Sequence, residues 1–213
     1  QNVELGTDLP YSDDISKLNE SGEIGGHHFA NRLVCQAMEG CDGTFSGEPD
    51  VLTKRRYNRL ASGGAAAIWF EATAVMQEGR ANPRQLYIVE EIKNTALKTN
   101  GIEPQIFVQL THSGRYSKPN GIPEPLIAYN NPIFEKDSPI SSDRIVSDDY
   151  LDSVSEALVN GARLAERAGF DGCDIKCCHR YLNSELLSAF ERKGRYGGSI
   201  ENRTRLLREA VIG

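Results

Sequence analysis

Long apolar runs are missing from this chain. No stretch of about 18 consecutive apolar residues occurs, so no transmembrane helix is expected. Positive charge is also in short supply. Lys and Arg number 24 against 30 Asp and Glu, a net charge of -6. Nucleic acid is therefore not an expected partner, because neutralising phosphates needs a basic face. Cysteine is limited to Cys35, Cys41, Cys173, Cys177 and Cys178. None of these forms a C-x-x-C pair, so no metal site is expected, and an odd count with two adjacent members fits a disulfide framework poorly. Reduced thiols in a cytoplasmic protein are the reading. No Gly-x-Gly-x-x-Gly follows a predicted strand, which argues against a dinucleotide-binding Rossmann unit.

What is present is an ordinary globular composition, 39% apolar over 213 residues, enough for one domain with a sizeable core. The opening QNVELGTDLPYSDD is polar and acidic and lacks a signal peptide's basic and apolar regions. The absence of an initiator Met points to trimming or to a piece of a longer protein. Residues 1–30 read as an entry segment of weak periodicity that ends in the turn-prone Gly25-Gly26.

From there the pattern alternates. Strands are predicted at Arg32 to Met38, Ala65 to Phe70, Gln105 to Leu110 and Gly172 to Lys176. The run Ala65 to Phe70 is continuously apolar, which suits a strand buried on both faces. Helices are predicted at Thr53 to Ser62, with its basic residues on the exposed side, at 88–99, at Asp148 to Ala168, and from about Ile200 with Ser199 as N-cap. The third of these carries an apolar stripe, Leu151, Val154, Leu158, Ala162 and Ala165, at helical spacing. A Pro-, Ser- and Asn-rich connection from about Thr111 to Ser147 is long enough to suggest a functional loop. Alternating strands and helices imply a parallel sheet with helical crossovers. The fold class is α/β, a TIM (β/α)8 barrel. Such a barrel needs eight units and about 250 residues; this chain supplies the first four, over residues 31–213.

In such barrels chemistry sits at the C-terminal strand ends. There the sequence places Met38-Glu39, Glu71-Ala72, Gln109 with His112 and Arg115, and Lys176 with His179 and Tyr181. Taken singly, Gln109 reads as a core amide, His112 and Arg115 as loop residues, and Tyr181 as packing. Lys176, His179 and Tyr181 together put several proton donors at one mouth. The alternative is that Lys176 pairs with a carboxylate such as Glu71 or Asp174.

Four segments carry a resemblance: NRLVCQAM at 31–38, EGRANPRQL at 78–86, QLTHSGR at 109–115, and the run from His179 through YLNSELLSAF to YGGSIENRTR at 196–205. They resemble the old yellow enzyme family, FMN-dependent NAD(P)H:flavin oxidoreductases on a βα barrel. The 2,4-dienoyl-CoA reductase-like and bacterial branches look nearer than the yeast type.

The resemblance implies FMN as cofactor, NAD(P)H as reductant and a small-molecule substrate, an alkene conjugated to a carbonyl. It implies that the backbone at Ala37 and Met38 lies against the flavin and that Glu39 stands near its reactive edge. Ala72 would offer a backbone contact, and Gln109 would bond the pyrimidine edge. Lys176 and His179 take the positions that grip the substrate carbonyl, and Tyr181 that of the proton donor. Two departures stand out: many members have His where this chain has Lys176, and Thr or Cys where it has Glu39.

The family's second half, with the loops that hold the FMN phosphate, is absent from this sequence. An iron–sulfur cluster enters only if that half brings its cysteines. The intact protein is expected to be a homo-oligomer without a membrane partner. Other readings are a flavin-dependent dehydrogenase or demethylase, a non-catalytic half-barrel, and a lyase using Lys176 as a Schiff-base amine.

Overall fold

The computed structural model describes residues 12–87 and 103–213. The predicted helix at 88–99 lies outside them. Strands β1 (Gly22–Ile24) and β2 (His27–Phe29) form an antiparallel hairpin. Its turn is Gly25-Gly26, both at positive φ (60° and 84°), a conformation two-residue hairpin turns require and glycine adopts without strain. The turn signal in the entry segment therefore joins two strands rather than closing the segment.

The main sheet consists of β3 (Val34–Cys35), β4 (Ala67–Ala74), β5 (Gln105–Thr111) and β6 (Gly172–Ile175), parallel and in sequential order. A singly wound order with helices on one face is the pattern of a βα barrel rather than of a doubly wound sheet. The predicted strand Arg32 to Met38 shrinks to two residues. Among the described residues it pairs only with β4, Val34 is exposed, and none extends the ladder on its outer side. The strand predicted to end at Phe70 instead runs from Ala67 to Ala74. A β-bulge lies between Phe70 and Ala72, which leaves Glu71 as the unpaired extra residue.

Helix α1 (Val51–Ser62) begins at Asp50, whose side chain accepts from Val51 N at 2.7 Å in a capping box with Thr53. Helix α2 (Asp148–Arg167) is capped by Ser147. Its stripe is seated as expected: Leu151, Val154, Leu158 and Ala165 are buried, and Ala162 is partly buried against the same cluster. These pack with Ile68, Phe70, Val108 and Leu110 from the helix-facing side of the sheet. Each Leu so buried contributes roughly 1.5–3 kcal/mol. The chain between Thr111 and Ser147 carries short 3-10 turns at Gly114–Tyr116 and Ser142–Arg144.

Helix α3 (Leu182–Leu187) was not expected from the sequence; its six residues are too few to show a period. The last predicted helix is broken at Thr204 into α4 (Ile200–Arg203) and α5 (Arg205–Ile212).

The start of α2 is tied to the loop before α4. Asp148 accepts from Arg192 Nη2 at 2.8 Å and from Arg195 N at 2.6 Å. Burial pushes this carboxyl up, but the Arg195 N–H and the Arg192 guanidinium outweigh it, and the net shift is down from the ordinary 3.8. A depressed carboxyl stabilises the fold above its unfolded value and loses that contribution as pH falls through its folded one. Asp148→Asn should therefore be less stable than the parent near neutrality. The gap should close as pH drops below about 3.8, read as urea midpoints across that range.

Candidate active site

By register, Trp69, Ala72, Phe107, Gln109 and Asp174 share the sheet face opposite the helices. Trp69 stacks on Phe107 with ring centroids 4.9 Å apart, and Ala72, Gln109 and Asp174 lie on neighbouring strands at one level. Gln109 Nε2 donates to Asp174 Oδ2 at 2.7 Å. One rung further on, Thr111 Oγ1 is buried without a hydrogen-bond partner among the described residues. The Ala72 carbonyl accepts from Gln85 Nε2 at 2.9 Å, and Gln85 is fully buried.

Beyond β6 the ladder runs one residue further, Lys176 N donating to the Leu110 carbonyl at 3.0 Å. The chain then turns through His179 and Arg180, both left-handed at φ 57° and 56°. Two consecutive non-glycine residues there cost roughly 1–2 kcal/mol each. The Arg180 guanidinium lies over the Phe134 ring at 3.9 Å, and α3 follows directly. The turn brings Tyr181 back beside Lys176, whose Nζ sits 4.2 Å from the centre of the phenol ring.

Glu39 completes the group. Its Oε1 accepts from Tyr181 Oη at 3.1 Å and pairs with Lys176 Nζ at 3.5 Å. Lys176 is thus partnered by a carboxylate, as the alternative held, but by neither of those considered. Glu71 is engaged by Arg56 and Tyr57, and Asp174 by Gln109. Burial first, and then Glu39, push the Tyr181 phenol well above its ordinary value, so it holds its proton at neutral pH.

His179 is exposed, with its Nδ1 3.7 Å from Cys178 Sγ. The Met38 side chain is also exposed, and Ala37 is half-buried.

Of the residues that hold this group, the sequence singled out Glu71 but not Arg56 or Asp42. Arg56 is not on the exposed side of α1. Its Nη2 reaches Glu71 Oε1 at 2.6 Å and Asp42 Oδ1 at 2.8 Å, and its Nη1 reaches the Met38 carbonyl at 3.4 Å. Glu71 in turn accepts from Gly40 N at 2.9 Å. The backbone on both sides of Glu39 is therefore held. A Cβ at Gly40 would lie 2.1 Å from Arg56 Nη2, so a larger residue there would push the guanidinium from this position.

His112 and Arg115 stand at the strand end but serve structure. His112 Nδ1 accepts from Gly114 N at 3.1 Å, which leaves Nε2 to donate to Tyr150 Oη at 2.8 Å. Burial pushes this imidazole down to about 4, so it is neutral. Arg115 is buried between Glu135, at 2.7 Å, and Glu185, and Glu185 also accepts from Ala128 N at 3.1 Å. Among the described residues no cluster of three or more His, Cys, Asp or Glu could hold a metal ion, and no helix is long and apolar enough to cross a membrane.

A parallel sheet with donors, a carboxylate and an amide at its C-terminal rim can be compared with known proteins. The model of the NADH:flavin oxidoreductase / NADH oxidase family matches residues 20–212. The chain belongs to that family. Among curated relatives, an NADPH dehydrogenase of a Geobacillus species is 34% identical over 197 residues, covering 88% of this chain and 56% of that protein. An NADPH dehydrogenase of Halalkalibacterium halodurans is 33% identical over 162 residues, covering 73% of this chain and 46% of that protein. The chain spans about half the length of the curated relatives it matches. Among solved structures, morphinone reductase in complex with tetrahydroNAD superposes with a TM-score of 0.72 at 25% identity, over 92% of this chain and 59% of that one. An old yellow enzyme from a Pichia species gives 0.75 at 23% identity over 92% and 55%, a likeness of fold. The four parallel strands are thus part of a barrel of this family.

Proposed function

We propose that the protein to which this chain belongs is an FMN-dependent NAD(P)H oxidoreductase that reduces an alkene conjugated to a carbonyl. The observation that carries the reading is the convergence of Lys176 and Tyr181 at the end of β6, in a chain whose family is established.

The residues present fit a flavin. Gln109 keeps one amide hydrogen and its carbonyl oxygen without a partner among the described residues, a donor–acceptor pair suited to a pyrimidine edge. The unpartnered Thr111 hydroxyl lies on the same face one rung away. Ala72 stands opposite Gln109 on that face, and the backbone of Ala37 and Met38 would form the remaining contact. When bound, FMN supplies the hydride relay from NAD(P)H to the alkene.

The chain's own groups do the rest. Lys176 offers a fixed cation to the substrate oxygen, where negative charge grows in the transition state. His179 is assigned as a second donor to that oxygen, reaching it by a turn of its exposed side chain. Tyr181 keeps its proton until the carbon next to the carbonyl needs it, as a general acid. The reading also takes the intact protein to be a cytoplasmic homo-oligomer, which cell fractionation and light scattering check.

The purified protein should carry the visible absorbance of a flavin, lose it on anaerobic mixing with NADPH or NADH, and regain it on adding 2-cyclohexenone. Protein without flavin, or flavin indifferent to both nucleotides, overturns the reading.

A further inference from the structure

One carboxylate oxygen, Glu39 Oε1, takes the hydrogen bond of Tyr181 at 3.1 Å and the ion pair of Lys176 at 3.5 Å. Both groups have a task assigned above, Lys176 at the substrate oxygen and Tyr181 at the carbon that takes the proton. We propose, on the basis of that assignment, that Glu39 determines specificity. It is the resident occupant of the donor pair, one that a neutral carbonyl oxygen can displace and a free carboxylate cannot join.

The position of Glu39 is built rather than incidental. The Met38 carbonyl is held by Arg56 and the Gly40 N–H by Glu71, so the backbone delivers Glu39 from a loop pinned on both sides. Arg56 is itself fixed by Asp42, and Glu71 is 1% exposed. The pair it joins is largely shielded, with side-chain exposures of 7% for Lys176 and 19% for Glu39. In such surroundings charge interactions are far stronger than in water.

A ketone, aldehyde, ester or thioester oxygen adds no net charge when it takes the place of Glu39 Oε1. Lys176 then keeps Glu39 close as counter-ion while it donates to the carbonyl. A free carboxylate would set two anions against one ammonium, and a like-charge juxtaposition of this kind is how sites reject the wrong ligand. Glu39 is therefore the residue that bars unsaturated acids in their ionised form from Lys176.

Two saturated probes that cannot be reduced separate binding from turnover. Cyclohexanone carries a neutral carbonyl and butyrate a carboxylate. Calorimetric titration of the purified protein should show cyclohexanone binding and no butyrate binding. Glu39→Gln should bind cyclohexanone about tenfold tighter or more and should gain butyrate binding. Glu39→Thr, which withdraws the competing oxygen altogether, should do the same and guards against a local effect of the amide.

In turnover, both variants should lower KM for 2-cyclohexenone. Unchanged binding of both probes in both variants overturns the proposal. So does a fall in kcat at constant KM, which would make Glu39 a carrier of the Tyr181 proton instead. Because the probes report on the donor pair without any redox step, a protein that binds them as expected but lacks ene-reduction would overturn the proposed activity and leave this role of Glu39 intact.

Discussion

Lys176→Met is expected to slow the alkene-dependent half of turnover by on the order of 10²-fold or more, the scale on which single oxyanion donors matter. Lys176 is nearly buried and stands beside Tyr181 and Glu39. Met keeps the length and apolar bulk of the side chain and removes only the charge. Negative charge grows on the substrate oxygen during alkene reduction and on no substrate atom during oxidation of the nicotinamide, so the NAD(P)H-dependent half should change far less. The variant also frees Glu39 from its cation, which should weaken binding of the carbonyl further by leaving an uncompensated anion at the site. Rapid mixing resolves the two halves. Equal loss in both, or loss in neither, would remove Lys176 from the donor role.

Arg115→Met should cost about 3–5 kcal/mol of folding stability, the range for breaking a buried pair by deleting one partner. Arg115 lies between Glu135 and Glu185, which are 8% and 5% exposed. Through them it fastens the long connection before α2 onto α3, since Glu185 also receives Ala128 N and Glu135 receives Asn131 N at 2.6 Å.

The pH dependence has a definite sign. Burial already raises the Glu185 carboxyl above its ordinary 4.5, with Arg115 opposing it. Without Arg115 the rise is larger, so the folded state holds the proton more tightly than the unfolded chain. The deficit of the variant should be smallest below about pH 4.5 and should grow to its full size as pH climbs through the folded value. Restoring neutrality with Arg115→Met/Glu185→Gln should recover part of the loss. A denaturant midpoint that moves by less than the equivalent of about 1 kcal/mol would show the network to be dispensable.

What could be read from the residues alone depended on how far apart the interacting groups lie. The α2 stripe repeats within one helix, and β6 stands out as a short apolar run between Gly172 and Lys176, so both were legible. β3 was overstated because an apolar sequence shows strand propensity but not whether a neighbour exists to pair with. In AIWFEATA, residues 67–74, the apolar run is too continuous to reveal alternation, and the bulge at Glu71 left no mark.

The strand-end residues were each visible, and the family resemblance gave Met38, Glu39, Ala72, Gln109, Lys176, His179 and Tyr181 a relation to flavin or substrate. It did not relate them to each other. Glu39 and Lys176 are 137 positions apart, and only the closing of β6 alongside β5 and β4 brings them together. Arg56 was misread for a similar reason: it lies among Lys54, Arg55 and Arg59 on a polar helix, and its partners are Asp42 and the acid that the bulge turns toward α1.

That bulge has a consequence for how the strand counts. Up to Phe70 the odd-numbered residues of β4 match the odd-numbered residues of β5, Ala67 with Gln105 and Trp69 with Phe107. After it the parity is reversed, Ala72 with Gln109 and Ala74 with Thr111. The extra residue acts as a frame shift within the strand. Deleting Glu71 itself would remove the shift and leave every remaining residue opposite its present partner, whereas deleting a residue before it would draw Glu71 into the ladder. An insertion in the loops after Ala74 changes only the reach of a connection. The strand is thus a length-coded element, in which the number of residues before the rim carries information that their chemical character does not.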